Sequence, residues 1–159
     1  MPRKPRCQLD DGFFHVTARA VGGDALFRDD IDRLDFTEQL IRNTRALLWR
    51  CHAYCLMTTH YHLLLETSRD SLSQGMHRLN GLYAQRFNAR HKRRGHVFES
   101  RFNAYVVETE DHLEAAAQYV LNNPVRAGLC ERAYQWPWSG GLLEGPVPRA
   151  PRYEGLALG

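Results

Sequence analysis

Apolar positions along the chain recur with two different periods, and the switches between them outline its elements. Residues 13–20 (FFHVTARA) are aromatic, β-branched or small, with Gly12 before them and Gly22-Gly23 after, which predicts a first strand. Ile31, Leu34, Phe36, Leu40, Ile41, Ala46, Leu47 and Leu48 then fall at roughly helical spacing, and Asp30 or Asp32 can cap that helix. Two apolar runs follow, residues 53–57 and 61–66. Only Thr58-Thr59-His60 separates them, which suits an antiparallel hairpin. Ser71 offers the cap of a second long helix reaching about Arg90, with Leu72, Met76, Leu79, Leu82, Tyr83 and Phe87 along it. After the basic turn at 91–95, a last strand near 102–107 leads through Asp111 into a third helix over 112–122. Pro124 stops that helix, because proline disfavours helical geometry at the residue before it.

The order β-α-β-β-α-β with an added helix predicts an α+β, ferredoxin-like (split βαβ) sandwich. Residues 1–138 form the expected domain. Residues 139–159, with Pro146, Pro148, Pro151 and five glycines, read as an irregular, flexible tail. No internal repeat is present. A chain of 159 residues fits one such domain. No apolar run reaches the ~18 residues of a membrane-spanning helix. The basic N-terminus, Met1 to Arg6, precedes no apolar stretch of the kind a secretory signal needs, which points to the cytoplasm. Cys7, Cys51, Cys55 and Cys130 are too scattered for a disulfide scaffold and are read as reduced.

A net charge of +3 says little by itself, but its distribution says more. Between Met76 and Tyr105 stand Arg78, Arg86, Arg90, Lys92, Arg93, Arg94 and Arg101 against the single acid Glu99. Arginine's planar fork fits phosphate oxygens and stacks on bases, so the segment suggests nucleic acid. A solvated helical face would look the same.

His60-Tyr61-His62 opens a predicted strand. Alternate residues share a face, so His60, His62, Leu64 and Glu66 point one way and Tyr61, Leu63 and Leu65 the other. Two imidazoles so placed can share a metal ion, or stand as two half-exposed histidines with no ligand, and imidazoles alone do not select the metal. A structural zinc site using Cys51, His52 and Cys55 is disfavoured, because the spacing lacks the usual Cys-x-x-Cys pair. On the third helix Tyr119 and Asn123 lie four residues apart and share a face. By position alone, Tyr119 is one candidate among seven tyrosines.

Three stretches together resemble a known family. They are 52–57 with 60–66, then 79–98 with Arg101-Phe102, then 119–129 (YVLNNPVRAGL). They are similar to the single-tyrosine transposases in which two histidines flank a bulky hydrophobic residue (the HUH pattern), and within them to the REP-associated tyrosine transposases. The resemblance runs from about Pro2 to Trp138. It implies a ferredoxin-like domain over 1–138 in which His60 and His62 hold Mg²⁺ or Mn²⁺ and Asn123 is the third ligand. It implies Tyr119 as the nucleophile, and single-stranded DNA beside imperfect hairpins as substrate. Two departures concern DNA placement: Thr59 stands where the pattern has asparagine, and the first strand runs into Arg19-Ala20-Val21-Gly22 instead of an Arg-Gly-Asn-like turn.

The residue types suit that chemistry. A divalent ion draws charge from a phosphodiester, and a tyrosine that attacks it keeps the bond energy in a phosphotyrosine, so strands can be rejoined. Arg78, Arg86, Arg90, Lys92, Arg93 and Arg94 would set register on the DNA backbone without reading sequence. The expected protein is a nucleoid-associated cytoplasmic enzyme, monomeric or dimeric. The alternatives are a catalytically silent protein that binds hairpin DNA or RNA, and a metal-dependent phosphodiesterase that uses water.

Overall fold

A computed structural model describes residues 12–141. Its strands are β1 (Gly12–Arg19), β2 (Arg50–Leu56), β3 (His60–Thr67), β4 (Asn103–Val107) and β5 (Ser139–Gly140). Its α-helices are α1 (Asp30–Ala46), α2 (Arg69–Arg90), α3 (Glu110–Leu121) and the short α4 (Asn123–Arg126). The strands form one antiparallel sheet in the order β4-β1-β3-β2-β5. The first four give the ferredoxin-like sandwich expected from the hydrophobic pattern.

Each of α1, α2 and α3 starts where a side chain accepts from a free amide. The Asp29 carboxylate accepts from the Asp32 amide at 3.0 Å to open α1, and Thr109 accepts from the His112 amide at 3.1 Å to open α3. Helix α2 begins three residues earlier than the sequence suggests. Ser68, not Ser71, is the cap, accepting from the Ser71 amide, while the Ser71 hydroxyl accepts from the Trp49 indole at 2.8 Å. Gly75 lets α2 approach the sheet end: a Cβ there would collide with the Trp49 ring, and Asn43 of α1 donates to its carbonyl. Helices α1 and α2 cover one face, where Phe14, Val16, Ala18, Phe36, Leu40, Tyr61, Leu63, Leu65, Met76, Leu79 and Tyr83 form the main core. A smaller cluster on the other face joins Ala53, Cys55, Met57 and Leu64 to Val107 and to Ala116 and Val120 of α3.

Strand β1 ends in a 3₁₀ turn at Val21–Gly23, where Gly22 and Gly23 take φ of 63° and 70°. The chain then returns to the β2–β3 turn. The Ala20 amide donates to the Thr59 carbonyl, and the Leu26 and Phe27 amides donate to that of Thr58. The turn that presents His60 is therefore tied to the end of β1.

The expected irregular tail needs one correction at its start. Ser139 and Gly140 pair with Cys55 and Tyr54 as an edge strand, because the Leu56 amide donates to the Trp138 carbonyl and the Trp136 indole donates to the Leu56 carbonyl. The rest of the tail, 142–159, lies outside the described residues, as does Cys7. Cys51, Cys55 and Cys130 are free thiols. Among the described residues no helix is long and apolar enough to cross a membrane.

Candidate active site

The open half of the second sheet face is built by strand register. Thr17 pairs with His62 and Arg19 with His60, while on the other side of β1 Thr17 pairs with Asn103 and His15 with Tyr105. Opposed residues in an antiparallel pair share a face, and diagonal neighbours come within side-chain reach. His15, opposite Leu64, is diagonal to His62, and its Nε2 lies 3.0 Å from His62 Nδ1. Helix α3 crosses above and brings Tyr119 down beside them. The Tyr119 ring centre is 5.6 Å from that of His15 and 5.9 Å from that of His62, at steep angles to both. His15, Thr17, Ala18, Arg19, His60, His62, Asn103, Tyr105 and Tyr119 line one cavity of about 240 Å³. No carboxylate lines it, and Arg19 gives it positive charge, which suits an anion.

Burial keeps the histidines neutral. Loss of hydration lowers His60 from the ordinary 6.5 to about 4, with Arg19 adding to the effect. Burial, then the charges of His60, His15, Arg126 and Arg19, takes His62 down to about 3. Burial also lowers His15. Neutral imidazole is the form that binds metal.

The donor atoms fit a divalent ion. Thr59 Oγ1 sits 2.9 Å from His60 Nδ1, and His15 Nε2 occupies His62 Nδ1. Each histidine of the pair therefore has Nδ1 engaged and presents Nε2, the arrangement by which outer partners orient metal-binding imidazoles. Thr59, the departure from the family pattern, supplies one of those partners. Among the described residues no group of three or more His, Cys, Asp and Glu is placed to hold a metal ion.

The remaining expected site residues are placed unevenly. Asn123, expected as the third ligand, is buried and donates through Nδ2 to the Tyr119 carbonyl at 3.0 Å, and it is not among the residues that line the cavity with His60 and His62. Arg86 pairs with Asp35 of α1, and Arg90 pairs with Asp29, the cap of α1, and with Asp32 in its first turn. Arg90, foremost, pulls Asp29 down to about 2. Arg93 donates to Asn88 and to the His96 carbonyl. Those three guanidiniums help to hold the fold. Arg78, Lys92 and Arg94 are exposed and make no ion pair among the described residues. His15, Thr17, Arg19, Asn103 and Tyr105 are site residues that sequence reasoning did not single out. The alternation Phe13-His15-Thr17-Arg19 on β1 was the available signal, since it puts His15 on the same side as Arg19.

A ferredoxin-like sheet thus carries a paired-histidine strand with a helix tyrosine beside it. The family model for IS200-like transposases matches residues 14–123, and the chain belongs to that family, whose members act in DNA transposition. Among solved structures, the chain is similar to a REP-associated tyrosine transposase bound to a REP hairpin. The two share 15% identity and a TM-score of 0.72, over 87% of this chain and 82% of that one, a likeness of fold. No curated protein matches the chain.

Proposed function

We propose that the protein cleaves and rejoins single-stranded DNA beside a hairpin through a 5′-phosphotyrosine at Tyr119, in the manner of REP-associated tyrosine transposases. The observation that carries this reading is the meeting of Tyr119 with the His15–His62 pair on one carboxylate-free cavity. Tyr119 is 47% exposed, and among the described residues its hydroxyl has no hydrogen-bond partner, so the nucleophile is free to reach a phosphate.

In the cleavage step the Tyr119 hydroxyl oxygen attacks the scissile phosphorus. A bond from that oxygen to phosphorus forms and the bond to the 3′-oxygen breaks. The phenol proton is lost to solvent, and the departing 3′-oxygen takes up a proton. Attack by a 3′-hydroxyl on the phosphotyrosine reverses these changes and joins strands. His60 and His62 would hold Mg²⁺ or Mn²⁺ through Nε2, which when bound withdraws charge from the phosphate. Arg19, on the cavity wall, adds positive charge, and Lys92, Arg94 and Arg78 are free to meet backbone phosphates. The substrate class follows the similarity to a hairpin-bound transposase, and the place of action is nucleoid DNA in the cytoplasm.

The test uses an end-labelled oligonucleotide carrying a hairpin with single-stranded flanks, incubated with Mn²⁺ and resolved under denaturing conditions. A slow-migrating protein–DNA adduct that EDTA abolishes is expected. Binding without cleavage would favour the silent hairpin-binding alternative, and cleavage without adduct would favour a water-using phosphodiesterase.

A further inference from the structure

Helix α3 ends at Leu121, and Pro124 in the first turn of α4 has no amide to continue its ladder. In an uninterrupted helix, residues seven apart stand about 10 Å apart along the axis. Here Arg126, seven residues after Tyr119, folds back onto it. The guanidinium carbon lies 3.8 Å from the Tyr119 ring centre, too close for an edge-on approach, so it rests on the ring face. The same side chain donates through Nη2 to the Tyr119 carbonyl at 3.3 Å, beside the Asn123 amide on that oxygen. The carbonyl anchors the guanidinium, and the guanidinium covers the ring. Arg126 has no carboxylate partner among the described residues, so this contact is not a by-product of an ion pair.

A tyrosine that is 47% exposed has open solvent into which its ring could rotate. The imidazoles of His15 and His62 meet it only at steep angles. We propose that Arg126 is a positioning residue that holds the Tyr119 ring in the one orientation that faces the His15–His62 side of the cavity. This rests on the reading of Tyr119 as nucleophile. Cation–π contacts of this kind favour one ring placement modestly, enough to change an attack rate by about tenfold when the alternative is an exposed rotamer.

Arg126→Gln keeps a donor for the carbonyl but not the stack, Arg126→Met keeps only the apolar stem, and Arg126→Lys keeps the charge. At saturating hairpin oligonucleotide with Mn²⁺, adduct formation should slow about tenfold in the Gln and Met variants and recover in part with Lys. DNA affinity should stay within about twofold of wild type. A second readout needs no chemistry: with ¹³C-labelled tyrosine, the Tyr119 ring signal, assigned by its loss in Tyr119→Phe, should move toward free-tyrosine values in both Gln and Met variants. An unmoved ring signal, or an unchanged adduct rate, would overturn the proposal. Loss of affinity at an unchanged rate would make Arg126 a phosphate contact instead. If the wild type forms no adduct while the ring signal still moves, the nucleophile reading fails and Arg126 has no role in a reaction.

Discussion

The two faces of the sheet are drawn from alternate residues of the same strands, yet they end in opposite states. Toward α1 and α2, Phe14, Val16 and Ala18 of β1 and Tyr61, Leu63 and Leu65 of β3 are at most 3% exposed. Two long helices suffice to close that face. On the reverse, the twelve-residue α3 covers Ala53, Cys55 and Leu64 and packs on Val107 at the end of β4, leaving residues 103–106 exposed. The cavity beside α3 holds His15, Thr17, Arg19, His60 and His62 under Tyr119, with Asn103 and Tyr105 of the exposed strand β4 at its rim. A single residue step along β3 thus separates Tyr61, whose hydroxyl is held by Asn80 at 2.6 Å, from the histidines on either side of it. Stability and chemistry share backbone but not side chains.

That division can be broken from either side, and the largest effect is expected at the open face. His60→Ala or His62→Ala should cut adduct formation at least a hundredfold, as should EDTA on the wild type, because losing even outer partners of a metal ligand costs roughly ten- to a hundredfold. Melting temperature should hardly change. Full cleavage in excess chelator would show that the pair is no metal site.

On the closed face the expected pattern inverts. Leu63→Ala should lower unfolding free energy by about 2–5 kcal/mol, read by urea denaturation, while the adduct rate per folded molecule stays constant. A comparable loss of rate would mean that the two faces are coupled.

Acid should separate the faces next. Unfolded histidines protonate near 6.5, whereas folded His60 and His62 resist until about 4 and 3. The unfolded state therefore gains protons first, so stability of the metal-free protein is level above 6.5 and falls as pH drops toward those values. The variant with His60→Gln and His62→Gln should melt with a flatter pH dependence between about pH 7 and 5.

The smallest effect concerns the basic segment. Replacing Lys92 and Arg94 by alanine should reduce the magnitude of the log–log salt slope of DNA binding by about 0.7 for each phosphate no longer neutralised. Arg86→Ala and Arg90→Ala should instead reduce stability, since each releases a carboxylate of α1.

The alternation of β1 and β3, the hairpin between residues 50 and 67, and the apolar stripe of α3 were legible because local period fixes which side chains share a face. The His60–His62 pair stood out by the same alternation, whereas Tyr119, one of seven tyrosines, was singled out only by family resemblance. What stayed hidden depends on contacts between distant residues. The carboxylates that engage Arg86 and Arg90 lie on α1 and its cap, far away in sequence, so a charge count could not separate them from Lys92 and Arg94. Ser71 looked like a cap until Trp49 took its hydroxyl. His15 gained meaning only from a diagonal across the β1–β3 register, and Arg126 only from the break before α4.

The central claim is the identity of the attacking atom, and mass spectrometry of the trapped adduct addresses it most directly. Wild type is incubated with hairpin DNA and Mn²⁺, and the protein is digested with nuclease and trypsin. Cleavage after Arg101 and Arg126 leaves Tyr105 and Tyr119, both on the cavity wall, in one peptide, so fragment ions must separate them. A 5′-phosphonucleotide on Tyr119, absent from the Tyr119→Phe protein, is the predicted result. A nucleotide on Tyr105 or any other residue, or an undiminished adduct in Tyr119→Phe, would contradict it.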